Sequence, residues 1–284
     1  MNSVPDMYTL FSENFNLDYT LDCGQVFRWD LVDGWWTGVV NGHVARLQQD
    51  KGNGEVLVDC SLPKEFFENY FRFDDDLDSI LQEVNKDEFM DEAINKYMGL
   101  HLIRQDPWEC LISYMLATAW SIPNIKRAIS LMCENYGKEI EDGYFSFPEP
   151  HALVHACDED LRACKLGFRG GRVIKAAKHV EDGTLILDDI FKVDYEEAKQ
   201  RLMFLEGIGE KVADCILLFA FEKMEAFPVD THVEKVVKTV YGHHEYFNGN
   251  ATKSKIGNWG RMYFGRYCGY AQQYFFYQKR LEGL

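Results

Sequence analysis

No run of about 18 apolar residues occurs in the 284-residue chain, so nothing in it reads as a membrane-spanning helix. The opening MNSVPDMYTL has neither a basic n-region nor an apolar h-region, which reads as a protein that is not secreted. No C-x-x-C pair is present. The eight cysteines (Cys23, Cys60, Cys110, Cys133, Cys157, Cys164, Cys215 and Cys268) fall at irregular spacings and read as buried thiols in a reducing compartment. Cys157 and Cys164 have no second pair nearby to complete a metal or iron–sulfur set. Positive charge is scarce: 30 Lys and Arg face 46 Asp and Glu, a net of −16. That excludes nucleic-acid binding driven by bulk charge and leaves only a local basic patch for such a role. No fixed-period repeat and no low-complexity linker interrupt the chain. With 46% hydrophobic and 27% charged residues it has the composition of a folded protein rather than a disordered one.

The first part of the chain has the period of strands. Val26-Phe27-Arg28-Trp29, Trp35–Val40, His43–Leu47 and Val56–Val58 are short β-rich runs separated by Asp33-Gly34, Asn41-Gly42 and Gly52-Asn53-Gly54. Asn41-Gly42 is a type I′ hairpin signal, so an antiparallel meander with one covered face is expected. From Lys64 onward helical spacing takes over, with helices expected near 76–84, 87–99, 107–118, 122–136, 158–164, 171–181, 194–204, 210–221, 231–241 and, broken, 252–282. The fold class is therefore α+β. A strand-rich N-terminal domain, residues 1–85, is expected to pack on an all-helical domain, residues 86–284.

Two stretches oppose the acidic trend. Arg162–Lys178 holds six basic residues and no acid, and Lys253–Leu284 holds six against one. Gly170-Gly171 at a helix start would let backbone N–H groups approach an anion, and a solvated face paired with acidic helices is the equal alternative. Asp74–Met98, with nine acids and two lysines, reads as a solvated helix face.

The chemistry concentrates in Leu202–Val240. Leu205-Glu206-Gly207-Ile208-Gly209 joins two helical patterns by a tight turn in which Ile208 tucks back. The second helix then offers free N–H groups at its start. Lys211 lies in that first turn, where the macrodipole repels a cation and so favours the neutral amine a nucleophile needs. Phe227-Pro228-Val229-Asp230-Thr231-His232 precedes another helix. Asp230 stands at its N-cap and can leave one carboxylate oxygen facing a cavity shared with Lys211. On residue types alone, an exposed lysine and a simple helix cap are the better explanations of the two positions.

LEGIGEKVADCILLFAFEKMEAFPVDTHV resembles the helix-hairpin-helix, Gly/Pro-Asp superfamily of DNA glycosylases, and specifically its 8-oxoguanine DNA glycosylase branch. Four further segments resemble that branch in order: Cys23–Trp29, Arg104–Leu111, Leu166–Arg169 and Gly269–Gln272. The likeness spans about residues 15–280. It implies a bifunctional base-excision-repair enzyme that removes 8-oxoguanine from duplex DNA and cleaves the abasic strand through a lysine Schiff base. The helical domain would then form two subdomains with the lesion cleft between them. By the resemblance Lys211 is the nucleophile and Asp230 stabilises charge on the sugar. The Gly24 carbonyl accepts the N7–H that only the oxidised base carries. Cys215 and Phe276 sandwich that base and Gln272 reads its Watson–Crick edge. Phe168 is the wedge and Arg169 the reader of the orphaned cytosine. Gly207, Gly209 and His232 meet the DNA backbone.

The resemblance also implies no catalytic cofactor and no iron–sulfur cluster, with a structural monovalent or divalent cation on the carbonyls of Met203, Leu205 and Ile208. The expected partner is 8-oxoguanine-containing double-stranded DNA, bound by a monomer without any membrane. The expected place is the cytoplasmic nucleoid if bacterial and the nucleus if eukaryotic. Two departures stand out. Ala119 and Asn124 occupy positions where the family carries a gap-filling asparagine and a second cytosine-reading arginine, while Trp120 offers a stacking surface. A same-superfamily glycosylase for another base and a non-catalytic DNA scaffold are the competing readings. The lysine opposes the first, because the alkylation branch relies on the aspartate alone. The intact Lys211/Asp230 pair opposes the second.

Overall fold

The computed structural model describes residues 7–118, 120–141 and 143–282. The N-terminal unit contains β1 (Met7–Leu10), α1 (Leu17–Asp22), β2 (Trp29–Val32), β3 (Trp35–Val40), β4 (His43–Gln49), β5 (Val56–Asp59) and α2 (Lys64–Tyr70). Its sheet runs β1-β5-β4-β3-β2 with every pair antiparallel. Asp33-Gly34 and Asn41-Gly42 all carry positive φ, at 50°, 82°, 47° and 73°, as two-residue type I′ turns require. Trp29, Trp36, Ala45, Leu47, Val56 and Val58 form the covered face, packed with Leu17 and Leu21 of α1 and Phe67 and Tyr70 of α2.

The expected first strand is displaced. Val26, Phe27 and Arg28 precede the ladder, which begins at Trp29 and continues to Val32. The side chain of Gln25, just before them, instead ties the end of α1 to the segment 101–103. Its Nε2 donates to the carbonyls of Thr20 (3.0 Å) and His101 (2.8 Å), and its Oε1 accepts from Ile103 N–H (2.9 Å). One buried amide thus satisfies backbone groups that a neighbouring strand would otherwise take.

The helical part comprises α3 (Leu77–Val84), α4 (Glu88–Lys96), α5 (Pro107–Leu116), α6 (Ile122–Tyr136), a short hairpin of β6 (Glu139–Glu141) and β7 (Tyr144–Phe145), α7 (Pro150–Val154), α8 (Asp158–Ala163), α9 (Arg169–Glu181), α10 (Leu187–Phe191), α11 (Tyr195–Met203), α12 (Glu210–Ala220), α13 (Thr231–Val240), α14 (Lys253–Phe264) and α15 (Cys268–Glu282). Leu77, Ile80, Leu81 and Val84 of α3 belong to the helical core and not to the sheet's core. Ion pairs join the units: Arg28 with Glu109 at 3.2 Å, Arg72 with Glu222 at 2.7 Å, and Arg104 with Asp74 at 2.5 Å.

Seven of the eight cysteines are buried, but Cys157 is exposed. Its sulfur caps α8 by accepting from Asp160 N–H at 3.4 Å. Among the described residues no helix is long and apolar enough to cross a membrane.

Candidate active site

The hairpin forms where its residues demand it. Gly207 has φ +93°, a conformation that a β-carbon resists, and a Cβ there would stand 2.6 Å from Arg172 Cδ. Leu205 and Ile208 turn inward and are buried. Gly209 caps α12 without a side chain, so the first-turn N–H groups of Glu210, Lys211 and Val212 face outward unclaimed by a cap. On α13, Asp230 Oδ1 accepts from Val233 N–H at 2.8 Å, which leaves Oδ2 outside the cap.

A cleft of about 1080 Å³ collects these elements. Gly24, Gly207, Gly209, Lys211, Asp230, His232 and Phe276 all line it. One wall comes from Tyr114, Ala117, Thr118 and Trp120 to Pro123, the other from the hairpin, α12 and the start of α13; α15 contributes Phe276 and Arg280. Five cations (Lys199, Lys211, Lys253, Arg261 and Arg280) face three carboxylates (Glu210, Asp214 and Asp230) there. The cleft thus reverses the sign of the molecule as a whole.

Lys211 Nζ lies 5.5 Å from the centre of the Tyr114 ring, and no carboxylate oxygen among the described residues comes within 4.0 Å of it. Cys215, one turn further along α12, is buried, and burial pushes its thiol up to about 11 against the pull of the Lys211 ammonium. The Asp230 charge also reaches that thiol, so Lys211, Cys215 and Asp230 share one neighbourhood.

Gly24 has φ +84°, and a Cβ there would meet Phe276 Cε1 at 3.0 Å and Arg280 Nη1 at 3.2 Å. Gln273 of α15 donates to the Cys23 carbonyl at 2.9 Å and holds this approach. Gln272 lies one turn before Phe276 on α15 and is buried, with its Oε1 lacking a hydrogen-bond donor. The His232 ring meets Phe276 edge-on at 5.6 Å.

The basic stretch is arranged differently from either expectation. Gly170 serves close packing, since a Cβ there would stand 2.9 Å from Leu161 Cβ; only Gly171 faces open space. Lys175 and Arg172 pair with Glu206 of the hairpin, at 2.5 and 3.8 Å, rather than with the acidic helices. Phe168 is 68% exposed. Arg169 is 7% exposed, bonded to the Thr118 carbonyl, and stacked between Trp120 (4.4 Å) and Phe168 (4.6 Å). Asn124 is exposed on α6, and Ala119 lies outside the described residues.

Sequence reasoning missed one charged group on the cleft wall. Asp214 is 3% exposed; its Oδ1 accepts from Tyr195 OH (2.6 Å) and pairs with Lys199 Nζ (3.0 Å), while Arg261 donates to the same hydroxyl (2.9 Å). Burial lifts its carboxyl above the ordinary range against the pull of Lys199. An aspartate inside the apolar run Val212–Phe221 was the available signal.

A helical cleft with an amine at a glycine hairpin, opposite a capping aspartate, defines the helix-hairpin-helix class of base-excision DNA repair proteins. Residues 112–260 match the model of the HhH-GPD superfamily of base excision DNA repair proteins, and residues 7–111 match that of the 8-oxoguanine DNA glycosylase N-terminal domain. The chain belongs to the 8-oxoguanine DNA glycosylase family of that superfamily and is an N-glycosylase/DNA lyase. It is 31% identical over 254 residues to the N-glycosylase/DNA lyase of Saccharomyces cerevisiae, covering 78% of this chain and 67% of that protein. It is 27% identical over 279 residues to N-glycosylase/DNA lyase OGG1 of Arabidopsis thaliana, covering 92% and 76%. The crystal structure of Clostridium acetobutylicum 8-oxoguanine glycosylase/lyase, in complex with dsDNA containing cytosine opposite to 8-oxoG, superposes with a TM-score of 0.89 at 32% identity, over 96% of this chain and 94% of that one.

Proposed function

We propose that this chain takes 8-oxoguanine from duplex DNA into the cleft, breaks its glycosidic bond with Lys211, and nicks the strand by β-elimination. A base inside the stack is out of reach, so it is extruded at a cost of about a few kcal/mol. Lys211 Nζ attacks C1′ as the bond from C1′ to the base nitrogen breaks, and the departing base takes up the proton the amine loses. Asp230 Oδ2, free of the cap, stabilises the positive charge that develops on the sugar. The nitrogen now on C1′ opens the sugar ring, the C1′–O4′ bond breaking as O4′ takes up a proton, and the resulting Schiff base acidifies the C2′ proton, whose loss expels the 3′ phosphate.

The same reading assigns the remaining residues. The Gly24 carbonyl accepts N7–H, the hydrogen that guanine lacks, and Phe276 and Cys215 flank the ring. Gln272 Oε1, buried without a donor, takes one from the base edge, which is the partner such an orphaned acceptor requires. Phe168, exposed beside the cation of Arg172 (5.1 Å over its ring), enters the gap. Arg169 faces the orphaned base, Gly207 and Gly209 bring N–H groups to one phosphate, and His232 contacts another. The carbonyls of Met203, Leu205 and Ile208 supply three hard oxygens on one turn, the donor type a monovalent or divalent cation takes. On this reading the enzyme acts as a monomer.

The observation that carries this reading is the presence of Lys211 and Asp230, from two different helices, in one cleft. A scaffold has no use for such a pair, and an aspartate-only glycosylase has none for the lysine. Borohydride trapping on an 8-oxoguanine duplex tests it. The protein should form a covalent adduct, and Lys211→Gln should form none while DNA binding persists. An undiminished adduct in the variant refutes the assignment.

A further inference from the structure

Lys279 of α15 is 5% exposed, and its ammonium has no hydrogen-bond acceptor among the described residues. A buried ammonium without a partner is costly to a fold. The charge that faces it has the same sign: burial and Lys235 of α13 together hold Lys279 below the ordinary lysine range. The carboxylates that could compensate are engaged elsewhere. Glu234, the acid of α13, pairs with Lys238 at 2.6 Å and Lys253 at 3.5 Å. Glu282, the acid of α15, pairs with Lys96 and accepts from Tyr97 OH at 2.8 Å. Asp22, across from α15, pairs with Arg280 at 2.5 Å. Among the described residues, none of these carboxylates pairs with the two facing ammonium groups.

Their position says which anion fits. Lys235 follows His232 by three residues, and Lys279 follows Phe276 by three. Residues three apart share a helix face. The two lysines therefore sit one turn, ~5 Å, beyond the edge-on contact of His232 with Phe276. That step is on the scale of one nucleotide along a strand. Resting on the reading that His232 meets the DNA backbone, we propose that Lys235 and Lys279 bind the adjacent phosphodiester of the damaged strand.

The phosphate balances one of the two charges and accepts from both ammonium groups, the buried one of Lys279, which lacks an acceptor among the described residues, and the exposed one of Lys235. The variants Lys279→Met and Lys235→Met keep the aliphatic stem and remove the charge. Binding is measured on a duplex carrying a tetrahydrofuran abasic analogue, with a neutral methylphosphonate moved one position at a time along the damaged strand. Wild type should lose affinity at two adjacent positions. Each variant should bind the unmodified duplex about tenfold more weakly. It should be insensitive to the methylphosphonate at one of the two positions, and the slope of log K against log salt should fall by about one. Lys279→Met should melt no lower than wild type without DNA, since an unpaired buried charge is gone.

Retention of both methylphosphonate effects with an unchanged salt slope would overturn the proposal. So would a melting point several degrees below wild type, because Lys279 would then be holding the fold. Excision of 8-oxoguanine by wild type is run alongside. If wild type excises and the variants keep the full footprint, this phosphate site alone is wrong; if wild type does not excise, the reading of the active site fails.

Discussion

Gly24 shows how much one residue has to do in this cleft. Its φ of +84° and the 3.0 Å from a would-be Cβ to Phe276 Cε1 leave no room for a side chain. Gly24→Ala carries a backbone penalty of about 1–2 kcal/mol and pushes against the ring that stacks on the base. Melting should record the first effect. Single-turnover excision of 8-oxoguanine should fall by tenfold or more, because the carbonyl that meets N7–H moves with the strained backbone. Unchanged excision by a folded Gly24→Ala variant would remove Gly24 from lesion recognition. Residue by residue, the places of Lys211 and Asp230 were legible because each sits at a turn or cap whose geometry the chain announces, whereas Gly24 was named by the resemblance alone. Arg169 was legible as a type but not in its placement. Nothing in Leu166–Arg169 says that the guanidinium will lie between Trp120 and Phe168, because that stack joins segments nearly fifty residues apart. Lys279 was hidden for the same reason: a lysine in a helical pattern reads as solvated until its neighbours are known.

At the scale of elements, Asp230 separates cap from catalyst. Asp230→Asn retains an oxygen for the Val233 N–H, whereas Asp230→Ala removes it at a stability loss of about 1 kcal/mol. Both variants should lose turnover by orders of magnitude, since both lack the charge. Only the alanine variant should unfold at lower denaturant. If asparagine keeps wild-type turnover, the charge is not needed and Asp230 is a cap alone. The long helices were readable from period and caps: α5, α6, α12 and α13 begin and end within about two residues of expectation. The short elements were not. β1 pairs with β5 across an intervening helix and three strands, and α1, α7 and α10 hold five or six residues each, too few for a period to declare itself. The run Val26–Trp29 has strand composition, yet only Trp29 joins the ladder, while the Gln25 amide beside it bonds Thr20, His101 and Ile103, and a side chain that fixes neighbouring segments leaves no mark in hydropathy.

For the molecule as a whole, the proposed reading gives the damaged base and its partner to different parts of the fold. On it, lesion recognition would rest on the N-terminal unit and α15, through Gly24, Gln272 and Phe276. Partner recognition would fall to the start of α6 and to α9, where Asn124 stands at the place the resemblance gives to an arginine and Arg169 is engaged by Thr118 and two aromatic rings. To read cytosine, Arg169 has to leave that stack and the Thr118 carbonyl, so part of its binding energy is offset before any contact forms. One bidentate base contact is worth about 1–3 kcal/mol of discrimination, roughly ten- to a hundredfold. With one such contact absent and another already occupied, cytosine preference should be compressed. Single-turnover excision of 8-oxoguanine opposite each of the four bases should then differ by about a hundredfold or less. Trp120→Ala should alter this spread by freeing Arg169, and it should leave the discrimination of 8-oxoguanine from guanine intact, since Gly24 lies on the other side of the gap. A thousandfold preference for cytosine in wild type would mean that the stack opens at little cost and that Arg169, with Trp120 beneath it, reads the partner base after all.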